Sequence, residues 1–284
     1  YDFAKEYFGK ENTFLVLNTE EVLDVPSAFN KIIFNSKKIL SDKELFWQPD
    51  TGWRCGDYSY YAMHHVLSEY KYFWLAEPDL RFCNATAADF FQELEEFDFD
   101  FLAPFLNVAS EKLDFFHTAK VLEAQPMSCL FPLTRLSASS IPKLFEIRKK
   151  ISKNFFNGNV PASAYPNDEI FVSTVTRRLG MKCAAIDKIS SSNFLLLRSD
   201  PENVLLEEQV ENIKADMVMH PVLSEKRFLE NRRNQFNRLL RRNRDFSSWL
   251  WFALNKTKNK EVQKKVQRMF VEEFEKFLTQ RKDG

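Results

Sequence analysis

The residues best suited to chemistry lie where a hydrophobic strand ends. Tyr72–Ala76 (YFWLA) is short, aromatic and apolar, and it runs straight into Glu77-Pro78-Asp79. In open α/β sheets ligands bind beyond the carboxyl ends of the strands. Two carboxylates one residue apart at that edge are therefore well placed to meet one. Their oxygens suit hard divalent cations such as magnesium or manganese, which leave positions for water and substrate phosphates. That is the chemistry of neutralising a nucleoside-diphosphate leaving group. A lone E-x-D is more often a solvated loop, so the surrounding residues decide its weight.

Four other places carry reactive or ligating side chains. Asp168 and Glu169 follow Asn167 at a helix start, where carboxylates are also favoured simply by the helix dipole. His220 stands alone in Met217-Val218-Met219-His220-Pro221, and a lone histidine is more often structural than a ligand. Arg54, Gly56 and Asp57 lie in the stretch Trp53–Tyr58, where Gly56-Asp57 also reads as a turn and helix cap. Arg135 and Ser137 sit in Phe131–Ser137. His64 and His65 are adjacent on a helix and cannot share a face; they and His117 are assigned no role.

The elements that must position these groups follow from periodicity. Thr13–Leu17 reads as a buried strand followed by polar Asn18-Thr19-Glu20-Glu21, while Lys31–Phe34 fits either a strand or a short helix. A helix is expected from about Tyr58 to Tyr70, then the Tyr72–Ala76 strand. Ala87, Phe90, Phe91, Leu94 and Phe97 mark one helical face, and Phe99–Ala103 returns as a strand. Val121–Ala124 reads as an edge or crossover strand. A helix capped by Ser139 or Ser140 carries Leu144, Phe145 and Ile151, followed by a loop with Asn159. Asn167 and Gly180 bound a helix over Asp168–Leu179. Lys182–Ile186 and Phe194–Leu197 read as further strands. Alternating strands and helices predict an α/β sheet, largely parallel.

The segment Tyr70–Phe82 resembles the strand and acidic motif of GT-A glycosyltransferases, with E-P-D as a variant of the D-x-D that holds metal and donor diphosphate. The resemblance spans roughly Trp53 to Ile186, plus His220, and is one of motif order. It implies a GT-A-like, Rossmann-like sheet flanked by helices, with Glu77, Asp79 and His220 around manganese or magnesium. It implies a carboxylate base acting on the acceptor hydroxyl, either Asp168 or Glu169. Arg54, Asp57 and Glu77 would contact the donor, and Arg135 with Ser137 the acceptor side. The nucleotide-binding first strand is either Thr13–Asn18 or one preceding Tyr1. The implied activity is transfer of a hexosyl or related sugar from a nucleotide-sugar donor to a glycan or lipid-linked acceptor, in surface polysaccharide or glycoconjugate synthesis. The competing reading is a non-catalytic GT-A-like module that binds glycan or scaffolds a biosynthetic complex.

Composition adds an asymmetry. The chain has 284 residues and a formal charge of zero, yet Val222–Gly284 holds 17 Lys+Arg against 8 Asp+Glu. The body up to Pro221 is correspondingly acidic. The expected organisation is thus a catalytic domain over residues 1–221 and a basic helical extension over 222–284. In the extension, Arg232, Arg233, Arg238, Arg241, Arg242 and Arg244 precede Trp249, Trp251 and Phe252. Arginines beside interfacial aromatics suit an anionic membrane surface, and a helical appendage packed on the acidic body is the alternative. The acidic remainder and the lack of a recognised motif count against nucleic acid. Cys55, Cys83, Cys129 and Cys183 have neither zinc-ligand nor redox spacing and read as reduced thiols. With no apolar run long enough to span a bilayer and no signal peptide, the expected location is cytoplasmic, peripheral on the inner face of the membrane.

Overall fold

The structure, a computed structural model, describes residues 2–18, 32–34, 36–83, 87–158, 160–198, 204–211, 213–241 and 259–282. Two compact units emerge. One comprises Tyr1–Pro78 with Ala85–Ser192, the other Asp79–Asn84 with Asn193–Gly284. Residues 193–221, assigned from sequence to the catalytic body, thus group with the helical tail.

In the first unit, helix α1 (Asp2–Phe8) precedes strands β1 (Leu15–Leu17) and β2 (Ile32–Phe34), which pair in parallel with Leu15 opposite Ile32. The ambiguous KIIF segment is therefore a strand. Thr19, Glu20, Glu21, Lys31 and Asn159 lie outside the described residues. Helices α2 (Lys37–Asp42), α3 (Thr51–Arg54) and α4 (Asp57–Val66) lead into β3 (Tyr72–Ala76). The chain passes through β4 (Arg81–Cys83), α5 (Ala87–Glu95), β5 (Phe101–Ala103) and the hairpin strands β6 (Asn107–Val108) and β7 (Met127–Ser128). It closes the unit with β8 (Leu133–Ser137), α6 (Ile141–Phe156), α7 (Asp168–Arg178), β9 (Cys183–Ala185) and α8 (Ile186–Ile189).

Four strands form the main sheet in the order β3-β8-β5-β9. β8 runs antiparallel to both β3 and β5, and only β5 and β9 are parallel. The fold is α/β, but the expectation of a largely parallel sheet is corrected: two of these three pairings are antiparallel. Strand direction is set by the long connections, which leave no trace in a run of three to five apolar residues. Val121–Ala124 is likewise not a strand; Phe116–Leu122 is a 3-10 helix closed by Glu123 in the left-handed region, φ 48°. Phe194–Leu197 contributes only a single bridge, Leu197 to His220.

Helix α7 is specified locally. The Asn167 side chain accepts the Ile170 N–H at 3.2 Å, a cap worth about 1 kcal/mol. Ile170, Phe171, Val172 and Val175 fill the core, and Gly180, at φ 66°, supplies the left-handed turn after the helix.

In the second unit, β4 pairs antiparallel with β11 (Met217–Met219), while β10 (Leu205–Leu206) pairs parallel with β12 (Val222–Leu223). The short helix α9 (Glu207–Val210) follows β10. Helices α10 (Glu225–Arg241) and α11 (Lys260–Lys282) bury Phe228, Phe236 and Leu240 against Val262, Val266, Met269 and Phe270. The rings of Phe236 and Phe270 are 4.7 Å apart. Arg232 belongs to this packing. Its guanidinium lies 4.7 Å from the Phe228 ring, donates to Gln235, and is fully buried. The expected display of Arg232 to a membrane is therefore corrected: at four residues from Phe228 and Phe236 it falls on the inward stripe. Arg233 pairs with Glu273, and Arg238 and Arg241 are exposed. Arg242, Arg244, Trp249, Trp251 and Phe252 lie outside the described residues. No helix among the described residues is long and apolar enough to cross a membrane.

Candidate metal centre and acidic cluster

Glu77 is fixed by the sheet. Its backbone N–H donates to the Pro132 carbonyl at 2.9 Å, extending the β3–β8 ladder one residue past Ala76. Two residues on, the Asp79 carbonyl accepts the Val222 N–H at 2.9 Å. Both acids thus hang from backbone anchored by main-chain hydrogen bonds, Glu77 at the end of the strand and Asp79 in the turn after it.

His220 follows β11 and is 7% exposed. Its Nδ1 lies 2.6 Å from the Arg198 carbonyl, which only accepts, so Nδ1 carries the proton. Nε2 can then either carry a second proton and donate to a carboxylate or, in the neutral ring, offer its lone pair to a cation that takes that proton's place. Nε2 faces the Asp79 carboxylate, 3.3 Å from Oδ1. Burial alone would raise the Asp79 carboxyl, but without a cation the protonated His220 ring, donating through Nε2, outweighs it, and with the Asp79 backbone N–H and Arg227 adding to the effect the carboxyl is held below the usual carboxylate range. One ligand atom each from Glu77, Asp79 and His220 fall within 4.8 Å of one another. Two carboxylate oxygens and an imidazole nitrogen oriented by its own carbonyl partner make a chemically coherent donor set for a divalent cation. Three protein ligands would leave coordination positions for substrate oxygens.

A second acidic cluster is built within the first unit. Asp168 is 4% exposed; Oδ2 accepts the Gly56 N–H at 2.7 Å and Oδ1 the Glu169 N–H at 2.8 Å. Burial, then Glu169, Asp57 and Glu77, push its carboxyl well above the usual value, against the Gly56 N–H. Glu77 is thus one of the charges that Asp168 feels. Gly56 is required by proximity: a Cβ there would lie 2.7 Å from Asp168 Oδ2 and 2.9 Å from Phe131. Glu169 is half-buried and accepts from the Asn167 amide at 3.2 Å.

Four proposed substrate contacts are otherwise engaged. Asp57 is fully buried in a two-pronged pair with Arg148, Nε to Oδ2 at 2.9 Å and Nη2 to Oδ1 at 2.8 Å, and also accepts the Tyr61 hydroxyl. Arg135, 1% exposed, donates to the carbonyls of Leu94 and Phe97 where α5 ends, with its guanidinium 4.1 Å from the Tyr72 ring. Both side chains are closed off from solvent and both assignments are corrected: each spends its charge on protein groups that burial would otherwise orphan. Ser137 bonds Asp100 and Ser140. Arg54 is 3.2 Å from Asp50 and donates weakly to the Tyr165 carbonyl.

Sequence reasoning missed Arg148. Its third donor reaches the Pro166 carbonyl at 2.8 Å, and Phe171 lies 3.9 Å beneath the guanidinium. One pair therefore holds the start of α4 to the approach to α7, and with it Gly56 to Asp168. The signal was present: Arg148 continues the apolar stripe Leu144, Ile151, Phe155 at helical spacing. All four cysteines are free thiols.

No protein-family profile, curated protein or solved structure matches this chain.

Proposed function

We propose that the protein is a metal-dependent glycosyltransferase that moves a sugar from a nucleotide-sugar donor to a glycan or lipid-linked acceptor. The observation that carries this reading is the convergence of Glu77, Asp79 and His220 at the end of β3. A bound divalent cation supplies Lewis-acid neutralisation of the charge that builds on a departing diphosphate. The chain's own residues do the rest. Pairing of Glu77 N–H with Pro132 fixes the first carboxylate, and the Arg198 carbonyl keeps Nε2 of His220 aimed at the second. Asp168 is the base we assign to the acceptor hydroxyl. Its raised proton affinity makes the carboxylate a stronger proton acceptor once it has ionised, so transfer should rise with pH as this carboxyl loses its proton, and the Gly56 and Glu169 N–H groups hold it in one orientation. Glu169, less buried, is the alternative base. Peripheral attachment to an anionic membrane through the basic tail remains part of the proposal for a lipid-linked acceptor, now without Arg232.

The test is thermal stability against a panel of nucleotide sugars, with and without manganese, followed by release of free nucleotide. The proposal predicts that one donor stabilises the protein only with manganese and is turned over. Stabilisation without turnover would support a non-catalytic glycan-binding or scaffolding module, and no donor-dependent shift would overturn the reading.

A further inference from the structure

We propose that a cleft walled by α4, α6 and the turn after α2 binds a small organic anion with a ring-sized apolar body. The cleft encloses about 460 Å³, in the range of small-molecule sites. Its apolar wall is Tyr61 from α4 with Ile141, Pro142 and Phe145 from α6. The Tyr61 and Phe145 rings are 5.3 Å apart and tilted by 58°; Tyr61 is buried, and Phe145 and Pro142 present the more open apolar surface for a ligand ring.

Lys43 supplies the charge. Its side chain is half-buried, burial pushes its ammonium down from the usual lysine value, and it makes no ion pair or hydrogen bond among the described residues. The other lysine lining the cleft is already committed: Lys149 is 2.7 Å from Glu44, which Lys153 also approaches at 3.5 Å. Glu44 is thereby engaged by two lysines, while Asp42 is exposed and screened by water. Backbone geometry fixes this arrangement. Glu44 sits in the left-handed region at φ 58°, unusual for a residue with a side chain, and the Leu45 N–H returns to the Leu40 carbonyl at 2.8 Å. The turn therefore fixes the backbone that keeps Lys43 in the lining of the cleft.

Each half of the site selects one half of the ligand. A partly desolvated ammonium without a partner is unfavourable, and an anion relieves it. An inorganic anion would leave the aromatic wall uncovered, and a neutral ring would leave Lys43 unpaired. A carboxylate or phosphate on an aromatic or similar apolar body satisfies both. His64 and His65 add imidazole hydrogen-bonding groups to the lining. The cleft also backs onto the buried network, because the Tyr61 hydroxyl donates to Asp57.

Phenyl phosphate, benzyl alcohol and inorganic phosphate, titrated into the full chain while amide and side-chain NMR shifts are followed, test this. The expected result is saturable movement of Lys43, Tyr61 and Phe145 resonances with phenyl phosphate. Lys43→Met and Lys43→Gln should each weaken it about tenfold, the loss of roughly one charged hydrogen bond. The two half-ligands should bind more weakly still. Shifts scattered elsewhere, undiminished binding in both Lys43 variants, or inorganic phosphate binding as tightly as phenyl phosphate would overturn the proposal. The readout does not depend on sugar transfer.

Discussion

Asp168 shows how a single residue's environment sets its chemistry. The sequence offers a capped helix start with two adjacent acids, and that much was legible from Asn167-Asp168-Glu169. What was not legible is that Asp168 lies 112 positions from the N–H that holds it, that of Gly56. Burial raises its proton affinity, and the consequence for stability has a definite sign. The folded state keeps the proton to higher pH than the unfolded chain, whose Asp titrates near about 3.9. Stability from this residue is therefore present at low pH and lost as pH rises toward the folded value, by up to about 1.4 kcal/mol per pH unit. Urea midpoints from pH 4.5 to 8 should fall more steeply for the native chain than for Asp168→Asn. Parallel profiles would mean that the carboxyl is not held protonated.

At the scale of elements, Arg148 is the tie that joins α4, α6 and the entry to α7. The resemblance makes Asp57 a donor contact, while the local pattern Gly56-Asp57 reads as a helix start, and the helix start is real. The partner of Asp57 is 91 positions away on another helix, and only tertiary packing turns a plausible ligand contact into a buried ion pair. Arg135 was misread for the same reason. Removing one partner strands the other charge, so Arg148→Met should cost about 3–5 kcal/mol by urea unfolding. The double variant Arg148→Met/Asp57→Asn should recover part of that loss, since it leaves no unpaired charge. A loss below about 1 kcal/mol in the single variant would show that the pair contributes little. The sheet follows the same division: β3, β5 and β9 were visible as short apolar runs, but β8, with Arg135 at its centre, and its insertion between β3 and β5 were not.

Over the whole molecule, the charge asymmetry read from composition survives only in part. Of the arginines described between Arg232 and Arg241, Arg232 is taken into the core of the helical pair and Arg233 is paired with Glu273, while Arg238 and Arg241 stay exposed. The acidic motif after β3 was the most legible feature of the chain, since strand, edge and carboxylates are all local. The joining of His220, far along the sequence, rested on resemblance alone, and the geometry now brings its ring to Asp79. The central claim is that these three side chains hold a divalent cation for a nucleotide donor. Manganese binding should be measured by titration calorimetry, alone and with UDP, GDP or ADP, on the native chain and on Glu77→Gln, Asp79→Asn and His220→Ala. The account predicts one manganese per chain, tighter with one of the diphosphates, and weakened at least about tenfold by each substitution. Absence of binding under every condition, or affinity unchanged in all three variants, would contradict it.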